Sequence, residues 1–281
     1  MSRLSPSGAE RARLVEQYPA AFAASRGRRA AAIGLVGVVL GVFVLGIVRL
    51  DFDFSRLGPG LRQLVWFLAL MIPPTPGDHL ALYLHAMAET LSIALLGTLL
   101  ASVFAFVGGF LAARNVLPLW IARFSLRRLF DAVRGVDTLI WALIWINVVG
   151  LGPFAGVLAI ATADFGALAK LLSEAVENID DRQVEGVRAA GGDRLSQIRF
   201  GLLPQVLPVI AGQILYFIES NTRSATIIGI VGAGGIGLHL AEQIRTLEWD
   251  HVSFIVLLVL VAVASIDFIS SRLRAAIMLN S

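Results

Sequence analysis

Cysteine is absent from this chain of 281 residues, which excludes a disulfide framework, a thiolate metal site and a cysteine nucleophile. Lysine occurs once, at Lys170, and Leu171 follows it. A phosphate-cradling loop needs a lysine directly before serine or threonine, so the chain carries no ATPase motif of its own and is read as no enzyme. Neither H-E-x-x-H nor G-x-S-x-G is present, so neither a zinc protease nor a serine hydrolase is suggested. Charge is scarce as well, at 15% Asp, Glu, Lys and Arg. What fills the chain instead is apolar: 57% hydrophobic residues, with a mean hydropathy of +0.79. That composition belongs to an integral membrane protein.

A span needs about 20 mostly apolar residues to cross the hydrocarbon layer. Six runs qualify: Ala30–Val48, Leu82–Ala113, Gly135–Val149, Pro153–Leu172, Val206–Val231 and Val252–Ser271. Only Gly150-Leu151-Gly152-Pro153 divides the third from the fourth, which predicts a tight helical hairpin. The run Leu64–Ile72 is too short to span and stops at Pro73-Pro74. The first run follows a long polar segment and ends in Val48-Arg49-Leu50-Asp51, unlike a cleaved signal, so it is kept as a transmembrane helix. Upstream of it, Glu10–Ser25 has the pattern of a short surface helix or of a disordered tail, and both readings stand.

Basic residues orient the spans. If the N-terminus is cytoplasmic, the inner side holds Arg3, Arg11, Arg13, Arg26, Arg28 and Arg29, then Arg114, Arg123, Arg127, Arg128 and Arg134. It also holds Lys170, Arg182, Arg188, Arg194, Arg199, Arg272 and Arg274, against Arg49, Arg56, Arg62 and Arg245 outside. Both termini are therefore expected in the cytoplasm, and the charge is topogenic rather than a nucleic-acid surface. The expected organisation is a cytoplasmic N-terminal segment (1–29), a membrane domain (30–272) with a cytoplasmic loop at about 174–204, and a cytoplasmic tail (273–281).

Gly232-Ala233-Gly234-Gly235-Ile236-Gly237 fits the dinucleotide fingerprint G-x-G-x-x-G, but a span precedes it where that mechanism needs a strand. It reads better as a glycine-rich, close-packed exit from a helix. The histidines, His79, His85, His239 and His251, fall near outer helix ends and read as interfacial polar residues, with no short metal-ligand spacing.

The hydrophilic stretch Glu185–Pro204 lies between two membrane-length runs. Residues from about Gln183 to Ala190 suit a short helix, with Val184 and Val187 on one side and Gln183, Glu185 and Arg188 on the others. Gly191-Gly192 would end it, and a second short helix over Leu195–Leu203 would lead into Pro204. Two helices joined at glycines make a stiff elbow able to dock into a partner's groove.

Ionisable groups inside spans are functional candidates by default. Here they are Glu89, Asp137, Asp164, Glu219 and Arg223. Glu219 and Arg223 stand four apart with the acid first, the spacing that pairs best on a helix. Arg223 shares a face with Ser220 and Thr226, and its planar fork suits the paired oxygens of an anion. Two readings stand: Arg223 attracts an anion in a substrate pathway, or a carboxylate neutralises it and it locks the bundle. Asp137 and Asp164 read as partners for basic residues, and Asn147 and Asn221 as hydrogen-bond formers between helices.

The loop resembles the EAA loop of ATP-binding-cassette (ABC) importer permeases, with Glu185, Gly191 six positions later, and the closing pair Leu203-Pro204. Where that loop carries two alanines and a later isoleucine, this chain has Gly186, Val187 and Gly201. The blocks Glu89–Leu100 with Leu111–Asn115, and Asn221–Thr226 with Gly229 and Val231–Gly237, resemble permeases of phosphonate-type importers. The resemblance implies an all-α membrane protein, a type I importer bundle of six spans in the bacterial inner membrane. It implies a second permease copy, two ATPase subunits that bind ATP and Mg, an external binding protein, and an oxyanion cargo such as phosphonate, phosphite or phosphate. Coupling to the ATPase would fall to Gln183, Glu185, Gly186, Arg188, Ala189, Gly191, Asp193, Leu203 and Pro204. The substrate pathway would include Arg223, Asn221, Ser224, Thr226, Glu219 and Glu89. The chain itself would hold no cofactor. The competing class is a secondary transporter using its intramembrane carboxylates as proton relays, which would work without ATP and ignore changes in the loop.

Overall fold

The computed structural model describes residue 16 and residues 26–50, 55, 57–116 and 119–279. Apart from Glu16, the surface helix considered over Glu10–Ser25 lies outside the described residues, as do Arg3, Arg11, Arg13 and Arg56. Contacts divide the chain into two units between Val65 and Trp66. In the first unit, α1 (Arg26–Arg49) carries an apolar stretch of 20 residues from Ala30 to Arg49, long enough to cross a bilayer. Helix α2 (Leu57–Leu70) starts in this unit and ends short of Pro73-Pro74.

The second unit holds α3 (Leu80–Ala112), α4 (Trp120–Arg134), α5 (Thr138–Val149), α6 (Pro153–Glu177), α7 (Asp181–Ala189), α8 (Leu203–Ile230), α9 (Ile236–Thr246) and α10 (Trp249–Leu279). No strand occurs among the described residues. Four helical segments in this unit are long and apolar enough to span: Gly77–Ala112, Pro153–Glu177, Arg194–Ile230 and Trp249–Ile277. With α1 that makes five among the described residues.

The sixth expected span needs a correction. Gly135–Val149 is not one continuous helix: α5 has 12 residues, about 18 Å at 1.5 Å per residue, too short to cross alone. It forms a span only together with α4, and the two are bent by 88°. The break has a local cause. Arg134-Gly135-Val136 closes α4, and the Asp137 carboxylate then caps α5, accepting the Leu139 amide at 2.8 Å. The hairpin of α5 and α6 forms as expected. Gly150 and Gly152 adopt φ of +93° and +130°, and Pro153 opens α6, where its missing amide costs nothing.

Bilayer surroundings give no hydrophobic drive for helix pairing, so small residues carry it. The buried face of α3 includes Ala86, Ala94, Gly97, Ala101, Ala105 and Gly109, and α6 answers with Ala155, Gly156, Ala159, Gly166 and Ala169. Contact is tight enough that a Cβ at Gly97 would stand 2.8 Å from Ile160, and one at Gly109 would stand 2.8 Å from the Ala169 carbonyl.

Where α3 and α6 end, charge takes over. Glu177 has a side chain only 7% exposed and accepts the Arg114 amide at 2.7 Å and an Arg127 guanidinium nitrogen at 2.5 Å. Nearby, Lys170 and Arg128 share Asp131 at 2.6 and 3.5 Å. Arg114 and Arg127 reach solvent, so losing their shared carboxylate removes hydrogen bonds without stranding a buried charge, and Glu177→Ala is expected to lower stability by about 1 kcal/mol. Thermal unfolding of the detergent-purified protein reads this directly, and an unchanged midpoint would show that Glu177 does not hold the α3, α4 and α6 ends together.

Candidate functional site

Two regions carry the residues that the sequence singles out. The first is the loop between α6 and α8. Asp180 caps α7, accepting the Arg182 amide at 3.0 Å, and α7 runs Asp181–Ala189. Gly191 then turns the chain at φ +84°, with the Gly192 amide donating to the Val187 carbonyl at 3.0 Å. That left-handed residue is the helix stop that glycine supplies. Asp193 restarts helical structure by accepting the Ser196 amide at 2.9 Å. The Ser196 hydroxyl, and then that amide, hold the Asp193 carboxyl below its ordinary range.

The expected second helix over Leu195–Leu203 proves to be one helical turn, Arg194–Ser196, followed by a π turn over Gln197–Leu202 that runs into α8. Packing against the first arm explains the shape: a Cβ at Gly201 would stand 2.9 Å from Val184 Cα. Gln205 fastens the two arms. It accepts the Asp180 amide at 2.8 Å and donates to the carbonyls of Asp180 and Gly201 at 3.1 and 2.7 Å. Val184 and Val187 turn inward, half-buried, while Gln183, Glu185, Gly186, Arg188 and Ala189 are exposed on the outer side of α7. Asp193 is exposed too, Leu203 half-buried and Pro204 exposed at the foot of α8.

The second region is α8. Its helical period separates the candidates. Asn221, Thr222, Ala225 and Thr226 turn into the bundle, whereas Tyr216, Arg223, Ile227 and Ile230 are exposed on the other side, with Gln213 and Ser220 half-buried beside them. Asn221 donates to Thr98 Oγ1 at 2.8 Å and to the buried carboxylate of Asp164, so one amide ties α3, α6 and α8. Asp164 therefore partners an asparagine rather than the basic residue expected. Among the described residues Asn147 bonds within α5, to the Leu143 carbonyl at 2.7 Å, and does not link helices as expected. Thr226 donates to Thr222 in its own helix, and Ser224, half-buried, is 3.5 Å from the Ser220 carbonyl.

Glu219 does not pair with Arg223. It accepts both terminal nitrogens of Arg274, on α10, at 3.1 Å each. Arg223 is exposed and, among the described residues, has no carboxylate partner. Glu89 lies elsewhere, at the glycine-rich turn after α8, where its carboxylate accepts the Gly235 amide at 3.0 Å while Thr90 Oγ1 accepts that of Ile236 at 2.8 Å. Gly232, Gly234 and Gly235 there adopt φ of +103°, +85° and +74°. The turn is a close-packed knot between helices.

Sequence reasoning missed four residues that organise these regions. Arg274 was counted only as topogenic charge, and Gln205, Thr98 and Tyr83 carried no signal. Tyr83 gathers three of the four histidines: its hydroxyl is 2.8 Å from His251 Nδ1, and the rings of His79 and His239 meet its ring edge-on at 6.0 and 6.2 Å.

Residues 105–278 match the family model described as the binding-protein-dependent transport system inner membrane component. Over 242 residues the chain is 39% identical to HtxC of Stutzerimonas stutzeri, named for phosphite transport as a permease protein, covering 86% of this chain and 85% of that one. It is 34% identical over 243 residues to the phosphite transport system permease protein PtxC of the same organism, covering 86% and 88%. With the phosphate-import permease protein PhnE of Mycolicibacterium smegmatis it shares 38% over 248 residues, 88% of this chain but 46% of that one. Among solved structures, the inward-facing MetNI methionine ABC transporter superposes with a TM-score of 0.62 at 19% identity, covering 72% of this chain and 99% of that chain. A bacterial ABC transporter involved in alginate import gives 0.56 at 15% identity, covering 87% and 99%.

Proposed function

The chain belongs to the binding-protein-dependent transport system inner membrane components, a multi-pass protein of the bacterial inner membrane, and from that premise we propose that it forms the membrane pathway for a phosphorus oxyanion in an ATP-driven importer. Membership of that family sets aside the secondary-transporter alternative. The cargo reading, phosphonate, phosphite or phosphate, draws on the substrates named for the relatives. One observation in this chain carries it furthest: α8 presents Gln213, Tyr216, Ser220 and Arg223 on one side in the middle of a span, with the Arg223 cation unpaired among the described residues. Lipid does not favour such a stripe, since polar and ionisable groups at that depth line cavities or meet partners. A cation there suits an anionic cargo.

The loop supplies the energy input in this reading. The outer side of α7, with Gln183, Glu185, Gly186, Arg188 and Ala189, docks into a groove of a separate ATPase, which binds ATP and Mg. The distribution of basic residues favours a cytoplasmic position for that loop. Two ATPase subunits, an external binding protein and a second permease, in the simplest case a copy of this chain, complete the importer. Each permease contributes half of the pathway. Closure of the ATPase pair draws the loops together and turns the pathway outward, and hydrolysis returns it inward.

Uptake of labelled phosphate into vesicles holding this chain, its ATPase and its binding protein tests the reading. Uptake is expected to require ATP on the ATPase side and to be abolished by unlabelled phosphonate or phosphite, the stronger competitor naming the preferred cargo. Uptake that persists without ATP and follows a proton gradient would overturn it.

A further inference from the structure

Glu219 and Arg223 stand one helical turn apart on α8, with Cβ atoms about 6 Å from each other, and by spacing alone they would neutralise each other. They do not, because α10 intervenes. Ser270 donates to the Leu215 carbonyl at 3.0 Å, and four residues later Arg274 places both terminal nitrogens on Glu219 Oε2 at 3.1 Å. Both contacts tie α10 to α8. The pair is mostly enclosed, with side chains 12% exposed for Glu219 and 24% for Arg274. Asp164, the other carboxylate buried near this level, is engaged by Asn221 inside the bundle.

We propose that Arg274 is a positioning residue for transport: by holding Glu219 it leaves Arg223 as the uncompensated charge, among the described residues, on the exposed side of α8. The proposal rests on the pathway reading above and adds to it a balance of three charges on two helices. Without Arg274, Glu219 either captures Arg223 or remains a carboxylate one turn away from it. In both cases the attraction for an oxyanion is lost. Without Glu219, Arg274 is released and the anion meets two cations.

The two removals therefore act with opposite signs, which a pair serving only to lock α8 to α10 would not do. The measurement is the initial uptake of labelled phosphate at limiting phosphate, in vesicles holding the whole importer, with permease amounts matched by immunoblot. In that regime tighter retention of the anion does not slow the measured step. Arg274→Gln is expected to lower uptake by about tenfold, on the scale of one unit charge acting across a helical turn. Glu219→Gln is expected to match or exceed the wild type. Should Arg274→Gln fail to reach the membrane, Arg274→Lys and the double change Glu219→Gln with Arg274→Gln keep the balance and are expected to transport near the wild-type rate. A fall of the same size for Glu219→Gln as for Arg274→Gln, or loss of uptake in both balanced variants at matched amounts, would overturn the proposal. Arg223→Gln separates the two levels: wild-type uptake by that variant sinks the pathway reading itself, whereas its loss together with same-signed effects at 219 and 274 sinks this inference alone.

Discussion

Gly237→Ala is expected to remove most of the folded protein from the membrane. A Cβ at Gly237 would overlap the Thr226 carbonyl oxygen and stand 2.9 Å from both Gly229 Cα and the Ile230 amide nitrogen. All three obstacles are backbone, so no side chain can rotate away. Gly229 is equally confined, since its own Cβ would meet the Gly234 carbonyl at 2.5 Å. The α9 start and the α8 end therefore touch main chain to main chain, and one methyl group has to part them. Overpacking costs about 1–3 kcal/mol even where side chains can yield, and here the penalty is expected above that range. It would also disturb the Glu89 and Thr90 bonds to Gly235 and Ile236, which hold the same turn. Membrane amounts after expression and thermal unfolding in detergent read the effect. A variant as abundant and as heat-resistant as the wild type would show that the turn is looser than described.

Gly191→Pro is expected to leave the protein in the membrane yet abolish ATP-driven uptake. Gly191 holds φ +84°, whereas proline is confined near −65°. Its amide also donates to the Arg188 carbonyl at 3.0 Å, a bond that proline cannot make. The turn between α7 and Asp193 must then open, and the exposed side of α7 is re-aimed. The spans keep their own packing, because the elbow meets them at its base, through Gln205, through the buried Leu202 and through Arg194, which donates to the Val116 carbonyl at 2.9 Å. Misplacing a coupling element by about 1 Å can lower a rate by about a hundredfold, and uptake is expected to fall at least that far. Gly191→Ala provides the graded control. It keeps the amide and carries only left-handed strain, roughly 1 kcal/mol, so partial uptake is expected. Wild-type transport by the proline variant would remove the loop from the coupling mechanism.

The long spans were legible because hydrocarbon thickness imposes a length that a run of apolar residues must meet. Their ends were less so. Helix α6 continues five residues past the expected Leu172, and α10 runs to Leu279, because helices persist beyond the apolar layer once end charges such as Glu177 find partners. Counting apolar residues also could not resolve α4 from α5. The arginine-rich α4 looks like a loop by hydropathy, although its buried Phe130 packs against Phe165 at 5.4 Å.

In the loop, the inward valines and the glycine stop followed from local spacing, and local spacing decides a short helix. The span charges did not follow. Pairing Glu219 with Arg223 is the best local choice, but the partner that wins is 55 residues away, brought there by the packing of α10 on α8. Asn221, Asp164 and Thr98 meet across three helices in the same fashion. A single sequence shows which residues are costly in a membrane, not which of them will be facing.

Gln205 gives the loop a mechanical meaning. Its two bonds to Asp180 weld α7 to the foot of α8, so the two arms turn as one block when something pulls on Glu185 or Arg188. From that weld to Arg223 the helix rises about 27 Å. A tilt of roughly 10° at the foot would swing the arginine sideways by nearly 5 Å, about one helical turn, on a lever of that length.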